Sequence, residues 1–163
     1  MIKEKFNIDE LIKKAGNEAE ALIEDIILAM QVACLDVVTM ARSLPSLPAT
    51  ERNKPHQPNY IDDTGYLRSS IGYAIYNNGI CISQNYEPGT NGEGAAGGME
   101  AAKRTANQVA AKYTTGIVAV VVCGADYAAA VESKGYDVLT GSSKEMQKIF
   151  KTYMEKVKAA HGL

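Results

Sequence analysis

Histidine and cysteine are scarce in this chain, and their scarcity removes most of the common catalytic and metal-binding arrangements. His56 sits among prolines and His161 in the last three residues, so neither has a sequence-local partner for metal binding or base chemistry. Cys34, Cys81 and Cys123 are an odd set whose spacings match neither a zinc site nor a disulfide framework. Each lies in an apolar run and is expected as a buried free thiol. Long hydrophobic runs are also missing: nothing approaches the ~18 apolar residues of a membrane span. Met1 to Phe6 holds no apolar signal core, so the expectation is a soluble chain made in a cytoplasm, with no membrane partner. An excess of positive charge is lacking too. The 17 Lys and Arg against 19 Asp and Glu give a formal net charge of -2, which argues against a general phosphate-binding surface and a specific nucleic-acid partner.

What is present suits one α+β domain over residues 1–163. A chain of this length buries roughly 70% of its unfolded surface, enough for a sizeable core. Asn7 and Glu10 form a candidate capping pair ahead of Ile8, Leu11, Ile12, Ala15, Ala19, Leu22, Ile23, Ile26 and Ile27, a helical rhythm that continues to Val38. The pattern predicts one long helix, or two joined near Gly16. A single small domain cannot cover a helix of about thirty residues, ~45 Å long, so its C-terminal half is expected in the core and its first turns against a neighbouring subunit. Pro45, Pro48, Pro55 and Pro58 then break regular structure, leaving residues 43–61 as a polar loop or strap.

Farther on, Asn77-Asn78-Gly79 separates Gly72–Tyr76 from Ile80–Ser83, and Asn-Gly between apolar runs predicts a β-hairpin. Residues 85–98 carry five glycines and almost no large apolar side chain, so this arm is expected to be mobile. The Gly-x-x-x-x-Gly-Lys-Ser/Thr spacing of a phosphate cradle is absent there, so no nucleotide cofactor is expected. Met99 to Tyr113 reads as an Ala-rich helix ended by Gly116. Ile117–Cys123, β-branched and uncharged, reads as a buried central strand. Tyr136–Leu139 suggests a short last strand. Ser142 and Glu145 cap a final helix to about Ala160, with Met146, Ile149, Phe150, Tyr153, Met154 and Val157 as its inner stripe. Both terminal helices are expected on a small, mainly antiparallel sheet.

The most distinctive stretch is Asp62-Asp63-Thr64-Gly65-Tyr66-Leu67-Arg68-Ser69-Ser70-Ile71. Physically, Asp63 or Thr64 can cap a short helix, Leu67 and Ile71 can dock it on a core, and Arg68 then points outward. The wording resembles the Asp-Thr-Gly-x-Leu-Arg-x-Ser-Ile signature of tailed-bacteriophage head-tail connector proteins, also called tail-completion or neck proteins. A second phrase, Tyr127-Ala128-Ala129-Ala130-Val131-Glu132 after a strand, is similar to that family's Tyr-Ala-x-x-Val-Glu. The chain departs from the family's usual Glu-aromatic-Gly-Thr ending, giving Glu132-Ser133-Lys134-Gly135-Tyr136 instead. Locally, Asp126 can cap this helix and Gly135 can close it.

The resemblance implies a structural virion protein of a phage or prophage, made in the bacterial host. It would act in head-tail joining or tail completion as a ring-forming oligomer, with other connector or tail proteins as partners. It also marks Asp63, Thr64, Gly65, Leu67, Arg68, Ser70, Ile71, Tyr127, Ala128, Val131 and Glu132 as motif and assembly residues. Arg68 and Glu132 are the charges carried by the two phrases, and an ion pair between them, within the fold or across subunits, is open. No enzyme is expected, because Thr64, Ser69, Ser70 and Tyr127 have no well-placed base and no catalytic or metal set can be assembled. The alternative is a bacterial small-ligand-binding or hydrolytic α+β domain, which a pocket lined by Tyr66, Tyr73 and Tyr127 would favour.

Overall fold

The computed structural model describes residues 8–44, 60, 62–89 and 92–163, with side chains from residue 12 onward. The expected Asn7–Glu10 cap and nearly all of the Pro-rich segment, His56 included, lie outside the described residues. The fold is α+β. Helix α1 (Ile8–Arg42) is followed by the short α2 (Tyr66–Ser69), strands β1 (Ile71–Asn77) and β2 (Ile80–Asn85), helix α3 (Ala95–Ala110), strand β3 (Ile117–Cys123), and helices α4 (Ala128–Ser133) and α5 (Thr140–His161). Helix α1 runs through Gly16 without a break.

The sheet is antiparallel, in the order β2-β1-β3. Asn77 pairs with Ile80 across a two-residue turn in which Asn78 and Gly79 take φ of 50° and 80°, the left-handed pair that matches strand twist. That turn is locked to the third strand: the Gly116 amide donates to Asn78 Oδ1 at 2.8 Å, and the Asn78 amide donates to the Gly116 carbonyl at 2.8 Å. Gly116 therefore serves the start of β3; α3 has already ended at Ala110, and it begins at Ala95, earlier than the expected Met99.

Strand β3 lies at an edge of the sheet, and β1 is central. Its apolar run has a different cause from a central position. Alternate side chains of a strand face opposite ways, and here both faces are covered by helices. Val120 and Val122 join Ala74, Tyr76, Ala102, Ala106 and Ala110 in one cluster beneath α3. Val121 and Cys123 pack on the other cluster, where Cys34, Val38 and Ala41 of α1 meet Ile71, Tyr73 and Ile75 of β1. The alanine face of α3 thus lets that helix lie close to the strands. Tyr76 Oη anchors it by donating to Asn107 Oδ1 at 2.7 Å.

Helix α5 packs on α1 and runs antiparallel to it. Tyr153 Oη donates to Asp36 Oδ2 at 2.9 Å, and His161 Nε2 lies 2.8 Å from Asp25 Oδ2. Two expectations for this region are corrected. Residues 136–139 form no strand, because their amides are drawn to a side chain instead: Val138, Leu139 and Thr140 donate to Glu132 Oε1 at 3.3, 2.9 and 2.9 Å. Nor do Ser142 and Glu145 cap α5. Ser142 is buried within the first turn, while Glu132 and Asp137, whose Oδ1 accepts the Gly141 amide at 2.8 Å, satisfy the free amides of the helix start.

Candidate functional site: the signature hub and the unpaired helix stripe

Gly65, at φ 73°, turns the chain into α2, and the amides that this short helix leaves open find side-chain acceptors. Asp62 is the principal one, its carboxylate accepting from Leu67 and Arg68 at 3.2 and 3.1 Å; Thr64 Oγ1 takes the Tyr66 amide at 3.3 Å. Gly65, which has no side chain to offer, holds the cap position, so Thr64 accepts from one residue earlier than expected, and Asp62 takes the place expected of Asp63, which is exposed. Leu67 and Ile71 are both buried in the core, but α2 ends at Ser69 and Ile71 opens β1, so only Leu67 docks the short helix.

Arg68 does not point outward. It is 9% exposed, its Nη2 donates to the Leu44 carbonyl at 2.6 Å, and its guanidinium lies 5.6 Å from the centre of the Tyr60 ring. Burial pushes the Tyr60 phenol up from its ordinary value. Arg42 makes a parallel contact from the end of α1, donating from Nε to the Ile71 carbonyl at 3.1 Å. Desolvation holds this arginine below its usual range, which Glu87 partly offsets. Two arginines therefore clamp the ends of α1 and β1 to the signature. Sequence reasoning missed this because Arg in a mostly polar stretch reads as solvent-facing; its bond to a main-chain carbonyl has no sequence mark.

The two serines stitch the signature to distant segments. Ser69 Oγ accepts the Gly89 amide at 3.0 Å. Ser70 Oγ donates to the Leu67 carbonyl at 2.7 Å and accepts the Ala125 amide at 3.2 Å, while its own carbonyl accepts the Gly124 amide at 2.8 Å. Both side chains are fully buried. Cys123 Sγ lies 3.2 Å from Ser70 Oγ, and desolvation raises this thiol above its ordinary value.

The glycines at 85–98 have a use that composition did not reveal. They let backbone lie against backbone. A Cβ on Gly89 would come 2.5 Å from Arg68 Cγ, one on Gly94 2.8 Å from Thr64 Oγ1, and ones on Gly92 and Gly98 would collide with the Thr64 and Tyr66 carbonyls. The Gly94 amide donates to the Thr64 carbonyl at 2.9 Å. The described part of this segment is thus seated on the signature, and the start of α3 follows directly from it.

The second phrase comes to the same place. Tyr127 stacks on Tyr66 with ring centres 6.1 Å apart and planes inclined by 28°, and Ala128 and Val131 pack on the core beneath. Tyr127, not Asp126, occupies the position before α4, without a side-chain cap, and Gly135 closes the helix by donating to the Glu132 carbonyl at 2.9 Å. Glu132 leaves the cluster: it turns to α5, where Thr140 Oγ1 also donates to its Oε2 at 2.7 Å. Partial burial opposes its charge, but these hydrogen bonds from Leu139, Thr140 and Val138 outweigh it and hold the carboxyl below its ordinary value. Within the fold, Arg68 and Glu132 thus each serve a different backbone and do not pair with each other.

Further surface features lie on the helices. Residues 12–21 of α1 are all exposed, because α5 ends at His161 opposite Asp25 and the sheet lies under the other half of the helix. Ile12, Ala15, Ala19 and Ile23 continue, at intervals of three and four, the stripe that farther along is buried as Val37 and Ala41. Ile12 is 66% exposed. Beside the α1–α5 seam lies a mainly apolar groove of about 300 Å³, lined by Leu28, Ala29, Val32, Tyr153, Val157 and Ala160, with Asp25 and Lys156 at its edge. Other hollows lie along the end of α3, from Glu100 to the following Ala111, and between Cys123, Glu132 and Leu139; none of the three is lined by Tyr66, Tyr73 or Tyr127. Among the described residues no group of three or more His, Cys, Asp or Glu is placed to hold a metal ion, and no helix is long and apolar enough to cross a membrane. Cys34 is buried, as expected; Cys81, on the outer strand β2, is exposed, contrary to expectation.

Comparison of the chain with known protein families, with curated proteins and with solved structures finds no match.

Proposed function

We propose that the chain is a structural component of a phage or prophage particle, acting in head-tail joining or tail completion as a ring-forming oligomer. Its partners would be further copies of itself and neighbouring connector or tail proteins, and it would act without catalysis, cofactor, nucleic acid or membrane. The observation that carries this reading is the exposed stripe Ile12-Ala15-Ala19-Ile23, which prolongs a core-forming face of α1 beyond anything in the described chain that could cover it. The convergence of the two connector-like phrases on one buried hub supports it as well. In that hub the serine hydroxyls that a hydrolase would need as nucleophiles are enclosed and engaged with backbone.

The test is genetic. In a phage or inducible prophage encoding the chain, its deletion is expected to leave filled heads and tails that do not join, or tails that lack their head-proximal end, and complementation should restore joined particles containing the protein. Normal, infectious particles formed without it would overturn the proposal. Reproducible turnover of an ester, phosphate or glycoside, lost in Ser69→Ala or Tyr127→Phe, would move the chain to the hydrolytic class.

A further inference from the structure

Among the described residues, no other element covers the exposed stripe of α1 or the groove beside the α1–α5 seam, and although the groove's own lining holds one acid and one base, Asp25 and Lys156, the N-terminal half of α1 and helix α5 differ in charge. Between Asp9 and Glu24, α1 carries Asp9, Glu10, Glu18, Glu20 and Glu24 against only Lys13 and Lys14. Helix α5 carries five lysines against two glutamates, and one of those lysines, Lys156, stands at the edge of the groove with its ammonium 4.9 Å from the centre of the Tyr153 ring. An acidic helix with a narrow apolar face and a basic helix beside an apolar groove are complementary in both respects. We infer that the N-terminal half of α1 of one copy lies in the α1–α5 groove of the next copy, with Ile12 to Ile23 packed on Leu28, Val32 and Ala160.

This contact uses two different patches on each molecule, so it is head-to-tail rather than self-complementary. Head-to-tail contacts propagate, and they close into a ring where the rotation between copies permits. The dimensions agree: the stripe from Ile12 to Ile23 is ~17 Å long and the groove is lined along α5 from Tyr153 to Ala160, ~11 Å, so the stripe covers the groove with about one helical turn to spare. The stripe consists of small and branched residues without aromatics, which lets a third helix approach two that are already packed. The inference rests on the proposed function for its setting, because it specifies how copies in the ring would touch.

The experiment is cross-linking between copies of the full chain in a Cys81→Ser background, which removes the exposed thiol. Ala19→Cys and Ala160→Cys are made as separate variants. Mixed, they are expected to give a covalent dimer on mild oxidation; each alone is expected to give little. A dimer from Ala19→Cys alone would place the stripe against itself and overturn the groove as its seat, and no cross-link at any accessible concentration would overturn self-contact here. Ile12→Glu and Leu28→Glu, both at exposed positions, are expected to weaken association by about tenfold without lowering the unfolding temperature; unchanged association in both would also refute the inference. Particle content separates the two readings. A chain incorporated into particles but without the mixed cross-link keeps the virion function and loses this contact, while a chain that cross-links but is dispensable for particles does the reverse.

Discussion

The Ser70 hydroxyl accepts the Ala125 amide at 3.2 Å while donating to the Leu67 carbonyl at 2.7 Å, so one enclosed side chain holds the signature helix to the segment leaving β3. Its neighbour on the chain, Ser69, holds the glycine segment in the same manner. The hub is therefore a junction of three segments distant in sequence. Its polar groups act by satisfying backbone in a place that water does not reach.

Ser70→Ala should accordingly cost more than the removal of one ordinary hydrogen bond. It leaves the Ala125 amide without its acceptor in a buried position, at ~1–3 kcal/mol. Urea unfolding is expected to show a lower midpoint with an unchanged slope. A loss near zero would mean that water or another group replaces the hydroxyl.

Two glycines on helices separate propensity from packing. Gly16 lies in the exposed part of α1, where an added Cβ would meet nothing within 4 Å, whereas a Cβ on Gly98 would collide with the Tyr66 carbonyl. Gly16→Ala should stabilise by ~0.5–1 kcal/mol through helix propensity alone. Gly98→Ala gains the same propensity but must push α3 off the signature, and a net loss of ~1–3 kcal/mol is expected. Thermal unfolding of the two variants checks the opposite signs.

These pairs show which parts of the molecule are legible in sequence. Periodicity finds α1 and α5, and the Asn78-Gly79 pair finds the hairpin, because their causes are local. The α+β class follows from these. What sequence reading misses depends on contacts between distant segments: Arg68 is expected outside because nothing near it in sequence announces the Leu44 carbonyl. The cap of α5 goes to Ser142 on spacing alone because its actual acceptor, Glu132, belongs to the preceding helix. Strand β3 reads as central because an apolar run reports coverage of both faces, not position in the sheet. The glycines of 85–98 read as missing side chains, when their close approach to Thr64, Tyr66 and Arg68 requires that very absence. The two connector-like phrases do meet in space, through Tyr66 and Tyr127, although only Tyr127 is marked by the family wording.

The thiols offer a direct check on the burial pattern. Cys34 is enclosed in the core, and burial pushes its pKa up to about 12; Cys123 is raised in the same direction, whereas Cys81 is exposed on β2. A thiol reagent at neutral pH should titrate one cysteine rapidly in the native protein and all three after denaturation. Cys81→Ser should remove the fast phase. A second fast thiol in the native state would show that the face between α1 and the sheet opens readily.

Glu132 gives a pH-dependent prediction that distinguishes its role as a cap from that of an exposed charge. Its carboxylate accepts the Val138, Leu139 and Thr140 amides and the Thr140 hydroxyl, and these bonds favour the ionised form more than partial burial disfavours it. A carboxyl lowered in the folded state stabilises the fold fully above its unfolded value of ~4.3, and that stabilisation is lost as pH falls through the folded value. Glu132→Gln, which keeps the shape but not the charge, is therefore expected to be less stable than the parent by ~1–2 kcal/mol near pH 7, in the range of a lost helix cap. The difference should shrink steadily below pH ~4 as the parent carboxyl itself takes up a proton. Denaturant unfolding of both proteins across this range provides the measurement. A deficit that stayed constant at acid pH would show that Glu132 acts through packing and not through its charge on the start of α5.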